Sequence, residues 1–287
     1  MVTLGPIGIA ASGLAADHPD AEIDLARKAE AAGYSTVWLA GGQGNNLPVI
    51  DRVVRATERI QVASGILSVD VVPAREVARA YADLEKAAPG RFVVGLGGAH
   101  GPRPLRTLNS YLDDLDGPDS PAGDGHGDAG APVVPATSRV LAALGPAVLA
   151  LARDRAAGAY PYLVTPEYVE QARATLGPGA ALAVLLTVVP ETDPATARAA
   201  ATAGLSFLRT VPGYHRNFLR MGFTDSEIAD LDTRFVDAVT AWGDLDTIVT
   251  RIGEYHTAGA DQVVLRLSGE AEYFERWLRR FAEALLP

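Results

Sequence analysis

Apolar runs alternate with amphipathic segments along most of the chain, and the pattern is clearest between residues 60 and 97. Two strongly apolar runs, 60–67 and 91–97, flank a segment with apolar residues at helical spacing, which Pro73 can open and Pro89-Gly90 ends. Strands that are apolar on both faces are typical of parallel sheets, and a crossover of this length joins parallel neighbours with a right-handed connection. The segment therefore predicts a β-α-β unit.

The same criteria predict eight strands that alternate with helices. The strands are predicted at residues 7–10, 35–40, 60–67, 91–97, 132–136, 159–164, 181–189 and 261–267. Further helices are predicted at 21–32, 47–59, 138–156 with an interruption at Gly145-Pro146, from Thr165 onward, 195–208, 246–258 and 271–286. This alternation favours an α/β fold, a (β/α)₈ TIM barrel that forms one domain over residues 1–287.

Two segments lie outside this repeat. Residues 117–131 are so rich in Gly, Pro and Asp that they predict a flexible loop after strand four, either a lid over an active site or disordered surface. Residues 211–223 combine aromatic and basic side chains, which fits the mouth of a site, a subunit contact or local packing.

Composition narrows the classes of function. The 25 Lys and Arg residues are outnumbered by 35 Asp and Glu, and this net charge of -10 argues against a nucleic-acid or anionic-membrane surface. The chain has no Cys, which removes thiol catalysis and Cys-ligated metals. No apolar run is long enough to span a bilayer, and no basic residue precedes the first apolar run, so we expect a barrel strand there rather than a signal peptide, in a cytoplasmic protein.

Candidate chemistry concentrates at the ends of strands three and four. Gly95, Gly97 and Gly98 do not continue into the G-x-G-x-x-G spacing of a dinucleotide-binding loop, because His100 stands at its last position. His100 follows strand four, where a barrel delivers residues to its active face, and an imidazole there can exchange a proton near neutral pH. Gly65, late in strand three, predicts either a close ligand approach or a helix packed tightly on the barrel.

Other motifs point to no site. There is no phosphate-binding G-x-x-x-x-G-K-[ST] loop and no G-x-S-x-G nucleophile elbow. Asp124, His126 and Asp128 alternate in a Gly-rich segment that would preorganise a metal site only weakly, so we interpret them as a solvated loop and expect no metal.

Several motifs, in order, resemble the luciferase-like monooxygenase superfamily. They are VWLA at 37–40, ATERIQVASGIL at 56–67, PGRFVVGLGGAH at 89–100 and GAYPYL at 158–163. The stretches RVLAALGPAVLALARDRAAGAYPYLVTPE, YHRNFLRMGF and AVTAWGDLDTIVTRIGEYHTAGADQVVL resemble an actinobacterial subgroup described as coenzyme F420-dependent oxidoreductases. The resemblance covers nearly the whole chain.

The resemblance implies a (β/α)₈ barrel that forms a homodimer and holds a flavin or deazaflavin at the carboxyl ends of its strands. It also implies a non-proline cis peptide bond, here between Gly65 and Ile66, that pushes a bulge against the cofactor ring. By the same resemblance, the cofactor-binding residues would be Gly65, Ile66, Ser68, Gly97 and Gly98 around the ring, and Gly158, Ala159 and Tyr160 at the ring edge or the phosphate tail. His100 would be the catalytic residue that exchanges a proton with the substrate.

The expected function is hydride transfer between coenzyme F420 and a small organic substrate. An FMN-dependent luciferase-like monooxygenase is the alternative. Relatives often carry an acidic residue or a His after strand two, where this chain has Gly41-Gly42. This departure keeps a third hypothesis open, a barrel without catalysis that serves as a binding or assembly subunit.

Overall fold

The computed structural model describes residue 2 and residues 4–11, 20–117, 132–267 and 271–286. The strands are β1 (Ile7–Ala11), β2 (Thr36–Leu39), β3 (Gln61–Ser64), β4 (Leu67–Ser68), β5 (Phe92–Gly97), β6 (Arg139–Leu141), β7 (Gly158–Ala159), β8 (Ala181–Val189), β9 (Thr240–Trp242) and β10 (Gln262–Leu267). The helices are α1 (Ala21–Ala31), α2 (Leu47–Ala56), α3 (Ala74–Ala87), α4 (Pro104–Asp116), α5 (Pro146–Arg155), α6 (Pro166–Leu176), α7 (Pro194–Leu208), α8 (Pro212–Arg220), α9 (Asp225–Asp230), α10 (Thr233–Val239), α11 (Leu245–Thr257) and α12 (Ala271–Leu285).

Eight parallel strands close into a barrel. Their order around the ring is β1, β2, β3, β5, β6, β7, β8 and β10, and β10 pairs with both β8 and β1. β4 continues the line of β3 along β5, and β9 adds to the upper part of β8. The predicted (β/α)₈ barrel is confirmed. No helix within the described ranges is long and apolar enough to cross a membrane.

The fifth barrel strand lies further along the chain than predicted. Residues 132–136 were expected as the strand, but β6 (Arg139–Leu141) takes this position, inside the segment expected to be helical. Pro132 and Pro135 lack the N–H that a central strand must donate, which disfavours the expected strand. The strand at 139–141 was missed because a charged residue such as Arg139 is not expected in a buried strand. Sequence pattern gives no sign that its guanidinium is paired and buried.

Three further elements depart from the expected pattern. α4 was not predicted; it begins at Pro104, and proline is tolerated at the first helical position because the N–H that it lacks would have no partner within the helix. β9 was not predicted. The segment 211–223 forms α8 and the turn after it, and its Phe218 and Phe223 pack with α7, α9 and α10 in a second apolar cluster. Local packing is therefore one of its roles.

A bulge interrupts the third barrel strand. Ala63 pairs with Val93 and Leu67 with Leu96, so three residues of this strand oppose two residues of β5. The expected cis peptide bond is present between Gly65 and Ile66. The Ser64 hydroxyl replaces the lost ladder contacts, since it accepts from the Gly95 N–H at 2.7 Å and donates to the Gly95 carbonyl at 2.9 Å.

The bulge also explains the glycines after β2. A Cβ on Gly41 would lie 2.3 Å from the carbonyl oxygen of Ile66, closer than any real Cβ contact. The absence of an acidic side chain at position 41 thus has a steric cause, because the Ile66 carbonyl occupies the space that a side chain would need.

A buried ion pair joins α4, β6 and α5. The Arg139 side chain is 1% exposed and pairs with Asp116, whose other oxygen accepts from Arg155 at 2.6 Å. Burial lowers the pKa of the Arg139 guanidinium, and the hydrogen bond that it donates to Asp116 opposes this effect. Leu115 and Val134 are also joined, by a backbone hydrogen bond of 3.0 Å. These contacts hold the two edges of the segment 118–131 together.

We expect Asp116→Ala to lower the free energy of unfolding by about 3 kcal/mol, because it leaves the buried guanidinium of Arg139 without its nearest carboxylate. Asp51→Ala removes the exposed partner of Arg55, which lies 2.9 Å away on α2, and should cost less than about 0.5 kcal/mol. Urea unfolding at unchanged slope measures both values. Equal losses in the two variants would contradict the buried pair.

We also expect Gly41→Ala to lower the free energy of unfolding by about 1–3 kcal/mol, since its methyl group must displace the Ile66 carbonyl. Gly44→Ala is the matched control, because its Cβ would meet nothing nearer than the Gly41 oxygen at 3.6 Å, and it should change stability by no more than about 0.5 kcal/mol. If the Gly41 variant is as stable as the control, the close approach is wrong.

Candidate functional site

An aromatic stack fills the barrel beneath the bulge. The rings of Trp38 and Tyr160 are 3.9 Å apart and nearly parallel, at 9°. The Trp38 indole donates to Gln262 at 2.9 Å, and the amide nitrogen of Gln262 donates in turn to the Gly5 carbonyl and the Thr36 hydroxyl. The polar side-chain groups of Trp38 and Gln262 therefore have partners, and these hydrogen bonds fix the height of the two rings in the barrel.

The bulge rests directly on this stack. A Cβ on Gly65 would lie 3.3 Å from the Tyr160 ring and hydroxyl and 3.5 Å from Cβ of Trp38. The Gly65 N–H donates to the Leu39 carbonyl at 2.8 Å, which ties the bulge to the end of β2. The tight partner of Gly65 is thus an aromatic ring inside the barrel, and not a helix outside it.

Small residues and an unpaired hydroxyl surround the bulge. A Cβ on Gly97 would lie 2.8 Å from Cβ of Ala142 and 3.3 Å from the Ile66 side chain, and one on Gly98, at φ +78°, would lie 2.7 Å from the Ser68 hydroxyl. Ser68 is 2% exposed, and its hydroxyl has no hydrogen-bond partner among the described residues. A buried hydroxyl without a partner is costly, so this one is suited to a bound group that hydrogen-bonds it.

A second unpaired polar atom lies on the other flank of the bulge. Asn46 is buried at the start of α2, and its amide nitrogen donates to the Leu39 carbonyl at 2.9 Å. Its amide oxygen has no partner in the described chain, and its Cγ lies 3.4 Å from the position of a Cβ on Gly41. Ser68 and Asn46 thus place an unused hydroxyl and an unused carbonyl on the two sides of Ile66.

His100 has a carboxylate partner, Asp70. One oxygen of Asp70 accepts from the backbone N–H of His100 at 2.8 Å and contacts Nδ1 of the same residue at 3.1 Å. A carboxylate only accepts, so Nδ1 carries the hydrogen and the neutral ring keeps its acceptor at Nε2. The imidazole is 55% exposed, so solvent or a ligand can reach it. This arrangement can take up or release a proton at Nε2.

Polar groups continue toward the mouth of the barrel on the opposite side. The hydroxyls of Tyr162 and Thr187 are 2.9 Å apart, and the ring of Tyr214 meets Tyr162 edge-on at 6.4 Å. The segment 211–223 therefore reaches the mouth through Tyr214 in addition to its packing role. Burial raises the pKa of the Tyr160 phenol well above its usual range, so Tyr160 is a neutral ring under the bulge.

The structure brings most of the predicted site residues together. Gly65, Ile66, Ser68, Gly97, Gly98, His100 and Tyr160 all lie at or beside the bulge. Gly158 and Ala159 form β7 directly before Tyr160: a Cβ on Gly158 would touch the Ala181 backbone, and Ala159 packs in the core between the barrel and its helices. Cofactor contact by any of these residues stays a prediction.

Sequence reasoning did not select Trp38, Asn46 or Asp70. Trp38 and Asn46 read as ordinary strand and loop residues, and nothing in the sequence joins them to the bulge. Asp70 had a usable signal, since it follows Ser68 just beyond the strand end that the barrel places next to His100.

The same region offers groups that suit a phosphate-bearing ring cofactor. The bulge, the glycines and the unpaired atoms of Ser68 and Asn46 fit a flat ring with carbonyl and N–H groups at its edge. The guanidinium of Arg220 lies 3.5 Å from the position of a Cβ on Gly145, the residue before α5, while the Val148 and Leu149 N–H groups of that helix already donate to the Gly145 carbonyl. A guanidinium in this place suits a phosphate.

No metal site emerges from the described residues, where no three His, Asp or Glu side chains lie close enough to share an ion. Asp124, His126 and Asp128 lie outside those residues.

Comparison with known proteins agrees with this architecture. Residues 1–262 match the family described as luciferase-like monooxygenase. No curated protein sequence matches the chain. Similar solved structures include the coenzyme F420-dependent tetrahydromethanopterin reductase from Methanopyrus kandleri, at 18% identity and a TM-score of 0.74, with 99% of each chain covered.

Two other similar structures differ in their cofactors. An F420-dependent secondary alcohol dehydrogenase, in complex with an F420-acetone adduct, is 17% identical with a TM-score of 0.71 and covers 99% of this chain and 98% of its own. The oxygenating constituent of a Baeyer-Villiger monooxygenase from Pseudomonas putida, in complex with FMN, is 14% identical with a TM-score of 0.68 and covers 99% and 100%. Identities this low establish a shared fold only, but the family match extends over most of the sequence, and the chain belongs to the luciferase-like monooxygenase family.

Proposed function

We propose that this enzyme is a deazaflavin-dependent oxidoreductase that uses coenzyme F420 to oxidise or reduce a small organic substrate. The observation that carries the proposal is the His100–Asp70 pair beside a bulge that presents unpaired polar atoms. Interconversion of an alcohol and a carbonyl moves a proton as well as a hydride, and the pair supplies the proton partner. Bound at the bulge, the deazaflavin would supply the two-electron hydride chemistry.

The chain's own residues would have three tasks. Trp38 and Tyr160 support the bulge from below, so that Ile66 holds its height against a bound ring. The Ser68 hydroxyl and the Asn46 amide oxygen are available for hydrogen bonds to the ring edge. Small residues at positions 97 and 98 keep the approach open, because side chains there would fill it or strain the backbone.

His100 would hold the proton at a defined atom. Its Nδ1–H points to Asp70, and this contact together with the backbone N–H of His100 fixes the ring. Nε2 can then take a proton from a substrate hydroxyl during oxidation, or return one during reduction. Asp70 acts by positioning the imidazole and by stabilising it when it becomes charged.

An FMN-dependent monooxygenase is the second candidate. The similarity to the Pseudomonas putida oxygenating constituent favours it, because that structure holds FMN on the same fold. The two candidates differ in the cofactor and in the need for oxygen, so binding and turnover separate them.

In a fluorescence titration of the purified protein, oxidised coenzyme F420 should bind saturably, with a dissociation constant in the micromolar range or below, and FMN should bind at least about tenfold more weakly. Ser68→Ala should weaken F420 binding about three- to tenfold, the effect of one lost hydrogen bond. Ser206→Ala, which removes an exposed hydroxyl on α7, should leave binding unchanged. Tighter binding of FMN with oxygen-dependent turnover would replace the proposal by the second candidate, and binding of neither cofactor would refute both.

With a substrate identified from a screen of small alcohols and carbonyl compounds, His100→Ala should lower kcat by about 10²–10⁴-fold at unchanged F420 affinity. Asp70→Asn should lower kcat by about 10–100-fold, since it removes the group that orients the ring. His215→Ala is the control, because His215 forms a similar pair with Asp225 at 2.8 Å on α8 and α9. Equal activity of the His100 variant and the control would remove His100 from the mechanism.

A further inference from the structure

Arg266 points into the mouth of the barrel. It follows Gln262 and Val264 at two-residue spacing along β10, and both of those side chains lie inside the barrel, with Trp38. Alternation along the strand therefore directs Arg266 inward, one layer nearer the mouth. It pairs in register with Thr187 on β8 and is half-buried.

This guanidinium has no counter-charge among the described residues. The half-buried arginines Arg155, Arg173 and Arg198 each reach an Asp, at 2.6, 2.5 and 2.6 Å. No hydrogen bond or ion pair joins Arg266 to any residue in the described ranges. A charged group in such a position is costly unless something pairs with it, so Arg266 is available to an anion.

Two hydroxyls complete the surroundings of Arg266. The Tyr162 hydroxyl and an Arg266 guanidinium nitrogen lie 3.4 and 3.0 Å from one point, the position that a Cβ on Gly204 would take. Tyr162 shares a hydrogen bond with Thr187, and in such a pair one hydroxyl still has its hydrogen to donate. The glycine stands inside α7, where it weakens the helix, and it leaves space beside both groups.

This group of residues belongs to the same mouth as the bulge. Tyr160 supports Gly65 from below, and it lies near enough to Tyr162 and Arg266 for both to influence its phenol, Tyr162 raising and Arg266 lowering its pKa. A molecule held at Arg266 would thus lie above the stack that carries the bulge.

We propose that Arg266, Tyr162 and Thr187 form a subsite for an anionic group of the substrate, a carboxylate or a phosphate. The guanidinium would bind two oxygens of the anion, and the spare hydroxyl hydrogen would bind another of its lone pairs. The proposal rests on the proposed function, and it restricts the substrate class to small organic acids or phosphate esters. The reacting carbon of such a substrate would lie toward the bulge and His100.

The test is a calorimetric titration of the full-length protein without cofactor, with benzoate and inorganic phosphate as separate probes. At least one probe should bind saturably at millimolar concentration or below. Arg266→Gln should weaken that binding about tenfold to a hundredfold, and Tyr162→Phe about three- to tenfold. Arg59→Gln, at a side chain that is 75% exposed, should leave it unchanged. If neither probe binds saturably at concentrations up to about 20 mM, the subsite is wrong.

Two additions keep the result decisive. If thermal unfolding shows that Arg266→Gln does not fold, Arg266→Lys and Tyr162→Phe carry the test, and wild-type affinity in both overturns the proposal. The titration is then repeated with the cofactor that the protein binds at saturation. Retained anion binding supports a substrate subsite, whereas competition assigns Arg266 to the phosphate of the cofactor and overturns it. The first titration needs no cofactor. Its result therefore tests the anion subsite even if the protein does not bind F420.

Discussion

The close approach of the Ile66 carbonyl to Gly41 is the contact on which the arrangement of the barrel mouth depends. The bulge can occupy this place only because position 41 has no side chain, and it is held there by the Gly65 N–H on the Leu39 carbonyl and by the Tyr160 ring below. The pairing resumes at Leu67 and Ser68 with β5, one residue out of step with the pairing before the bulge. The bulge therefore decides to which side of the sheet the side chains of Leu67 and Ser68 point.

The contact between His100 and Asp70 is a product of this changed register. Ser68 pairs with Gly97, and the chain continues from each of them to Asp70 and His100, which meet just beyond the strand ends. Parallel neighbours bring them together, and the backbone N–H of His100 locks the carboxylate in place. The contact is thus formed by two segments, one after β4 and one after β5, whose first residues are fixed by the pairing of these two strands.

The sequence was sufficient for the parts of the fold that are set by local pattern. The strands near residues 7–10, 91–97 and 181–189 have continuous apolar runs and lie close to their expected bounds. The fifth strand was misplaced because the buried charge of Arg139 is balanced by Asp116, from another element, which no local pattern records. In the site, the cis peptide bond followed from family resemblance, whereas the Asp70 partner of His100 required knowledge of which strands are neighbours.

The buried pairing of Arg139 with Asp116 has a consequence for how this fold can change. It lies just outside the segment 118–131, and the hydrogen bond between Leu115 and Val134 closes the base of that segment. The residues on the two sides of this segment are therefore already fixed to each other. Under such conditions the cost of a longer or shorter segment is chiefly loop-closure entropy, about 0.6 kcal/mol per doubling of length. A change in chain length at this position therefore leaves the pairing of β5 with β6 in place, because the residues on both sides of the segment are bonded to each other.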